Sequence, residues 1–249
     1  MRARVPTQAS NKLGIIAAPG WFDPTMREFL LRHAHELDVT QTILPPVGFD
    51  YSFEQIRASL PWLERSARLL VEAGAQVIAQ VGPAFAYQLG QNPAGAKAVG
   101  QQLSSACGVP VVLNGVAVLE ALEQLDRRRI AVACPYYNPA WQQEFSGFLQ
   151  DANYVIDHFG TFVAQGIIAT DDLVAARNYR FTDNEVMRSV RQTRADAPLA
   201  EVLVIGGSGV RTLHWIESLE QELGIPLVSA DRALYRAVLG RLALEPQAH

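Results

Sequence analysis

The sequence predicts an α/β protein made of two pseudo-symmetric halves, each built on a doubly wound parallel sheet. Short apolar runs alternate with amphipathic stretches, which is typical of parallel strands joined by helices. The pattern repeats once, which predicts an N-terminal half over residues 12–126 and a C-terminal half over residues 127–240. Because ligands bind at the carboxyl ends of parallel strands, we expect the functional site in the cleft between the halves.

The predicted strands are apolar runs bounded by glycine or proline, as buried strands usually are. These runs occupy residues 13–18, 77–81, 109–113, 130–133, 202–205 and 225–229. Amphipathic stretches between them predict helices. Two of these stretches, residues 53–74 and 212–224, end in a glycine suited to a helix C-cap.

The repeat rests on two pairs of matching segments. Residues 13–19 (LGIIAAP) resemble 129–135 (RIAVACP), and residues 108–114 (GVPVVLN) resemble 224–230 (GIPLVSA). The two members of each pair are separated by the same number of residues. Buried parallel strands resemble one another in composition, but the equal spacing and the shared prolines favour a duplication.

The composition excludes several classes of protein. Apolar residues form 49% of the 249 residues and charged residues 18%, so the chain is neither disordered nor fibrous. The net charge is −4 and no basic run interleaves with aromatic residues, which speaks against a nucleic-acid partner. Cys107 and Cys134 form neither a disulfide framework nor a metal motif. No run of about 18 apolar residues occurs, so we expect a cytoplasmic protein with no membrane partner.

Two aromatic loops follow corresponding strands and are expected to line the cleft. The first contains Trp21 and Asp23, and the second contains Tyr136 and Tyr137. Aromatic walls with a few polar groups are typical of small-molecule sites, although the rings would equally serve to cover the sheet edge. Burial beside Trp21 and Phe22 would raise the pKa of Asp23 and suit its carboxyl group to proton transfer.

A glycine-rich turn follows the predicted strand at residues 202–205. Gly207, Ser208 and Gly209 are expected to lead into a helix that opens at residue 210. The backbone N–H groups of such a turn bind anions. Its spacing matches no nucleotide-binding motif, so a carboxylate is the expected ligand. The alternative is a turn that only permits close packing of strand and helix.

The matching turn of the first half consists of Gly82, Pro83 and Ala84. Pro83 has no N–H group, so this turn offers an anion fewer donors than the other. Proline is also a normal first residue of a helix, which is the structural interpretation of the same position.

Several other side chains have both a structural and a chemical interpretation. His214 is expected to pack on the core rather than act as an acid or base. Cys134 is expected to be a core residue, with a nucleophilic role as the alternative. Asp231 either points into the site or caps the following helix. The polar segment around Asp171 and Asp172 is extra relative to the first half, which suggests a lid.

The segments around these turns resemble the Asp/Glu racemase superfamily, in particular its maleate isomerase and arylmalonate decarboxylase branch. The resemblance is carried by VIGGSGVRTLHWIESLEQELGIPLVSADRALYRAVL, ACPYYNP, GAQVIAQVGPAFAY and GVPVVLNGVAVLEAL, and it covers roughly residues 12–240. It implies two flavodoxin-like halves and an enzyme that uses no metal or organic cofactor.

Members of this superfamily typically use one or two cysteines at the two half-site turns. The matching positions here are Gly82 and Gly207, so both cysteines are absent. The Thr-Ser pair that binds carboxylate in the decarboxylase is replaced by Pro83 and Ala84. Tyr136 matches the family's carboxylate-binding tyrosine. We therefore expect neither two-thiol racemisation nor thiolate addition, but a preorganised carboxylate cleft remains.

The sequence thus predicts a cofactor-independent lyase that acts on a small carboxylate, which could be aromatic. Its reaction would be a decarboxylation or an elimination through a stabilised enediolate or carbanion. Tyr136 would orient the carboxylate, the N–H groups of Gly207 and Ser208 would stabilise negative charge, and Asp23, or else Asp231, would handle the proton. The alternatives are a cysteine-independent isomerase or racemase of a small carboxylic acid and a non-catalytic carboxylate-binding protein. A homo-oligomer is compatible with each of these.

Overall fold

The computed structural model describes residues 11–19, 22–45, 48–177 and 180–246. Strands and helices alternate along both halves. The first half contains β1 (Asn11–Ala17), α1 (Thr25–His33), β2 (Leu37–Ile43), α2 (Phe53–Arg57), α3 (Leu60–Glu72), β3 (Val77–Gln80), α4 (Pro83–Gly90), α5 (Pro93–Cys107), β4 (Val111–Leu113) and α6 (Asn114–Glu123). The second half contains β5 (Arg129–Cys134), α7 (Pro139–Asp151), β6 (Val155–Thr161), α8 (Asp171–Ala176), α9 (Asp183–Asp196), β7 (Val202–Ile205), α10 (Ile216–Leu223), β8 (Leu227–Ser229) and α11 (Ala230–Leu242).

The strands form two parallel sheets of the same topology. The strand orders are β2-β1-β3-β4 and β6-β5-β7-β8. In each sheet the chain moves outward in one direction and then in the other. The switch therefore lies between β1 and β3 in the first sheet and between β5 and β7 in the second. Loops at such switch points are where open parallel sheets bind ligands. The doubly wound α/β fold expected from the sequence is confirmed.

Strands β2 and β6, each at one edge of its sheet, are additions to the six strands that the sequence predicted. β2 (LDVTQTI) is polar and only its first residue is buried, while β6 carries a buried pair at its C-terminal end. The sequence signal for a buried strand is a continuous apolar run. An edge strand with one solvated side does not need such a run, so this signal misses it.

One hydrophobic cluster joins the two halves, and a second lies within the second half. Helix α11 of the second half packs on α6, β3 and β4 of the first half. A single cluster of buried side chains contains residues of both sheets, from Leu13 and Ile78 to Ile130 and Val204. The sheets are thereby held with their carboxyl edges around one cleft. The boundaries 12–126 and 127–240 remain a prediction.

The helix expected to open at residue 210 begins instead at Ile216. Gly209 (φ 74°) and Arg211 (φ 55°) are left-handed, and an α-helix cannot start through residues in that conformation. His214 therefore lies in a turn, where its side chain is exposed and Nε2 is 2.7 Å from Oδ2 of Asp183. The expectation that His214 packs on the core is wrong. Within the described ranges, no helix is long and apolar enough to cross a bilayer.

Candidate active site

A cavity of about 240 Å³ opens between the two halves at the predicted cleft. Its wall contains residues of the switch-point loops of both sheets. Six residues that the sequence assigned to the site lie on that wall: Gly82, Pro83, Ala84, Tyr136, Tyr137 and Ser208. The volume lies slightly below the range of about 300–1,000 Å³ typical of ligand pockets, so the cavity suits a small molecule.

The N-terminus of α4 forms the first wall of the cavity. Gly82 leaves β3 with φ 103°, a conformation that favours glycine, and Pro83 begins the helix. The structural interpretation of Pro83 as the first helical residue is confirmed. The N–H of Gly82 donates to Oδ1 of Asn114 at 3.2 Å. The N–H of Ala84 lies in the first helical turn and has no carbonyl one turn earlier in the helix, so this end of α4 carries the positive end of the helix dipole. Because Pro83 and Ala84 line the cavity, this end borders it.

Tyr136 forms the opposite wall. Its hydroxyl donates to the carbonyl oxygen of Ser208 at 3.1 Å, and its ring stacks on Phe181 with 6.0 Å between centroids. A Cβ atom placed on Gly207 would lie 2.7 Å from three atoms of the Tyr136 side chain. Only a residue without a side chain therefore fits beneath the ring. Tyr136 occupies the space that a side chain at position 207 would need.

The turn beside Tyr136 keeps two backbone donors. The N–H of Gly209 donates to Oδ1 of Asp231 at 2.7 Å, so this group is already satisfied, and Gly209 does not line the cavity. In the described part of the chain, the N–H groups of Gly207 and Ser208 have no hydrogen-bond acceptor. Ser208 lines the cavity, whereas Gly207, which the sequence also assigned to the site, lies next to it in the chain and is not on the wall. Because the helix starts at Ile216, later than expected, this turn offers an anion no helix N-terminus.

Asp23 lies behind the turn and not on the cavity wall. Its side chain is buried, and Oδ1 accepts a hydrogen bond from the N–H of Thr25 at 2.8 Å. Burial raises the pKa of Asp23, the direction that the sequence predicted. The expected cause is partly wrong, since Phe22 is 90% exposed. Trp21, the other expected neighbour and cavity residue, lies outside the described residues.

Asp231 lies near Asp23 at the start of α11. The helix is capped by Ser229, whose Oγ accepts from the N–H of Arg232 at 3.0 Å. The alternative that Asp231 caps this helix is therefore wrong. Burial, followed by repulsion from Asp23 and Glu28, raises the pKa of Asp231 to about 7.

The thiol of Cys134 is not placed for nucleophilic chemistry. Cys134 is fully buried in β5 and does not line the cavity. Burial raises its pKa to about 12, so the thiolate is scarce at neutral pH. This supports the interpretation of Cys134 as a core residue.

Aromatic side chains form part of the cavity wall. The Tyr137 hydroxyl accepts from Tyr87 at 3.3 Å and donates to the carbonyl of Gly206 at 3.4 Å. Burial raises the pKa of Tyr137 well above its usual value, so this phenol stays neutral. The ring of Tyr137 also packs against Trp141, with 5.6 Å between centroids. The ring of Phe85 lines the same cavity. These rings favour a ligand with an apolar or aromatic group.

Several lining residues were not among the predicted site residues. They are Ala18, Asp50, Tyr51, Phe85, Asn138, Trp141, Asp171 and Val174. Asp50 and Tyr51 follow β2, so missing that edge strand also concealed its strand-end loop. Asn138 was not singled out as a site residue, but it belongs to the loop with Tyr136 and Tyr137 that the sequence predicted to line the cleft. Its Oδ1 also accepts from the N–H of Trp141, as the N-cap of α7. Asp171 lines the cavity from α8, where the sequence suggested a lid, whereas Asp172 does not line it.

Comparison with known proteins decides the family. The family model described as arylmalonate decarboxylase matches residues 46–249. The chain belongs to the arylmalonate decarboxylase family. The resemblance inferred from the sequence is therefore confirmed. The chain is 26% identical over 188 residues to arylmalonate decarboxylase of Bordetella bronchiseptica, an alignment that covers 76% of this chain and 71% of the relative.

Solved structures show the same fold. A crystal structure of arylmalonate decarboxylase superposes with a TM-score of 0.76 at 22% identity, covering 96% of this chain and 95% of the other. The maleate isomerase Iso from Pseudomonas putida S16 superposes with a TM-score of 0.75 at 15% identity, covering 94% and 93%. The maleate cis-trans isomerase of Nocardia farcinica, solved with a covalently bound succinylcysteine intermediate, gives 0.66 at 21% identity, covering 94% and 93%. Members of the arylmalonate decarboxylase family thus share their architecture with isomerases.

Proposed function

We propose that this protein is a cofactor-independent enzyme that decarboxylates a small carboxylic acid bearing a second carboxyl group on the same carbon. The observation that carries the proposal is the pair of N–H groups at Gly207 and Ser208, which have no acceptor among the described residues. They belong to a turn whose Ser208 lines the same aromatic cavity as the N-terminus of α4. Backbone donors fixed in a cavity of this kind stabilise an enediolate more than they stabilise its precursor. Membership in the arylmalonate decarboxylase family supports the same chemistry.

The reaction follows from this placement. The bond between the α carbon and one carboxyl group breaks, and carbon dioxide leaves. The electron pair remains on the α carbon and spreads into the second carboxylate as an enediolate, which the amides of Gly207 and Ser208 hold. A proton from solvent, delivered through a hydroxyl group of the cavity wall, then adds to the α carbon, and the hydroxyl group is reprotonated by water. An apolar wall around the departing carboxylate favours loss of its charge as neutral carbon dioxide.

The hydroxyl groups of Tyr136 and Ser208 are the proton-bearing groups that we assign to the reaction. Tyr136 donates to the carbonyl of Ser208, and a bound carboxylate replaces that carbonyl as acceptor. Tyr136 thereby orients the substrate. Asp23 lies outside the cavity wall, so we assign it no direct proton transfer.

The test is proton NMR of the protein in D₂O with arylmalonates, maleate, hydroxy acids and amino acids. We expect loss of one carboxyl group from a malonate and one deuterium at the α carbon of the product. Tyr136→Phe should lower kcat by about 10²-fold, the effect of removing one oriented donor. Tyr154→Phe is the matched control, because the Tyr154 hydroxyl has no hydrogen-bond partner in the described chain and lies away from the cavity.

The other outcomes distinguish the alternatives. Deuterium exchange at the α carbon with no loss of carbon dioxide would replace the decarboxylase with an isomerase or racemase. A ligand-dependent rise in melting temperature without turnover would indicate a binding protein. Equal activity in Tyr136→Phe and the wild type would contradict the role given to Tyr136.

A further inference from the structure

Behind the site turn, Asp231 contacts the same segment that lines the cavity. Its Oδ1 accepts from the N–H of Gly209 at 2.7 Å, and its Oδ2 lies 3.4 Å from the N–H of Thr212. The left-handed conformations of Gly209 and Arg211 turn these amides toward one point. Concavities of successive N–H groups bind anions. Here a carboxylate of the protein itself occupies that position.

Asp231 is linked to the cavity wall through the turn. Gly209 follows Ser208, which lines the cavity and whose carbonyl oxygen accepts the hydrogen bond from the Tyr136 hydroxyl. The hydrogen bond from Gly209 therefore fixes the orientation of the peptide unit that joins Ser208 to Gly209. That peptide unit also contains the carbonyl group to which Tyr136 donates.

We propose that Asp231 is a positioning residue of the active site: its carboxylate holds the turn in the shape that presents Ser208 and Tyr136 to the substrate. Asp231 acts through the turn and does not touch the substrate. The inference rests on the proposed function for its catalytic consequence, but the mechanical link between Asp231 and the turn does not depend on it.

The surroundings of Asp231 are unfavourable for a negative charge. Asp23, on the loop after β1, has an Oδ2 that is buried without a hydrogen-bond partner in the described chain. Glu28 of α1 lines the small gap next to Asp231, with one oxygen 3.8 Å from Arg32. Arg211, on the turn itself, is the cationic residue on the wall of that gap. Burial and the two acidic neighbours raise the pKa of Asp231 to about 7.

This environment separates a positioning role from a purely structural one. Because the pKa of Asp231 is higher in the folded than in the unfolded protein, ionisation disfavours the fold increasingly from about pH 4 to about pH 7. An uncharged amide at this position escapes that penalty. Asp231→Asn should therefore have a higher melting temperature than the wild type at pH 8, and the difference should shrink as the pH falls toward 4.

The same variant should lose activity. The amide oxygen still accepts from Gly209, but the NH₂ group cannot accept from Thr212, so the turn is no longer held at both ends. We expect kcat for the malonate that the wild type decarboxylates to fall by about tenfold to 10²-fold, because displacing positioned groups commonly has an effect of this size. The change in KM should be smaller. Asp38→Asn, on the exposed face of β2, is the matched control and should change neither quantity. Unchanged kcat in Asp231→Asn, or a joint fall in stability and activity, would overturn the proposal.

An NMR titration tests the link without any substrate. The amide protons of Gly209 and Thr212, followed with those of Gly207 and Ser208, should shift in the wild type with one midpoint near pH 7. The shifts should vanish in Asp231→Asn. If no malonate is turned over, the proposed function fails, and the titration then decides on the turn alone. Shifts that reach Gly207 and Ser208 support the positioning role, and amides that do not titrate refute it.

Discussion

The contact between Gly207 and Tyr136 gives a prediction that can be worked out from the structure. A Cβ atom at position 207 would lie 2.7 Å from the Tyr136 ring, about 1 Å closer than carbon atoms pack at their optimum. Gly207→Ala therefore forces the ring to move. The backbone does not oppose alanine, since Gly207 is not among the residues with positive φ. The whole cost should thus come from the displaced tyrosine.

Two contacts are lost when Tyr136 moves. Its hydrogen bond to the Ser208 carbonyl contributes about 1 kcal/mol, and its stacking on Phe181 contributes about 0.5–1.5 kcal/mol. Together they amount to about 1.5–2.5 kcal/mol, which lies within the cost of about 1–3 kcal/mol for overpacking a buried site. For a chain of this size, each kcal/mol lowers the melting temperature by about 2–4 °C.

A double-mutant cycle isolates the clash. Thermal unfolding is measured for Gly207→Ala, Tyr136→Ala and the combination. In the Tyr136→Ala background the clash is absent, so the second substitution should cost almost nothing. Gly147→Ala is the matched control, because open space surrounds that helical glycine and alanine should stabilise it by about 0.5–1 kcal/mol. An equal loss on Gly207→Ala in both backgrounds would refute the argument that Tyr136 fills the space at position 207.

Three further predictions concern neighbouring groups. Cys134→Ala should leave turnover in the NMR assay unchanged, because a buried thiol with a pKa of about 12 supplies almost no thiolate at neutral pH. A large loss of turnover would show that the thiol takes part in the reaction. Asn114→Ala would leave the Gly82 N–H and the carbonyl of Ala230 without their partner. It should lower the free energy of unfolding, measured in urea, by about 1–3 kcal/mol for each of these two groups. No change would mean that water replaces the amide. Asp50→Asn and Asp171→Asn each remove a negative charge from the cavity wall. Each should strengthen inhibition by doubly charged malonate by about two- to threefold at low salt and less at high salt. Singly charged benzoate is the control, and its inhibition should change less.

The sequence determined the fold and brought the candidate site residues to one cleft. Each of the six apolar runs is a strand, because a strand covered on both faces must be apolar along its length. The order of strands and helices implied parallel sheets, and parallel sheets place their strand-end loops at one edge. Tyr136, Ser208 and Gly82 could therefore be assigned to a common cleft before any distance was known. The missed edge strand β2 carries Asp50 to the same cleft, and its polar, half-solvated sequence gave no signal of this.

The tertiary structure decided which way each loop residue points. Asp23 and Ser208 both lie in loops that follow a strand. Asp23 is buried away from the cavity wall, whereas Ser208 lines the cavity. That difference depends on contacts between segments far apart in the chain, such as Asp231 with Gly209 and Tyr136 with Ser208. Local patterns record the periodicity of burial but not the partner across a cleft. The absence of a side chain at Gly207 was visible in the sequence, whereas its physical reason, the Tyr136 ring lying against it, appears only when the two loops are folded together.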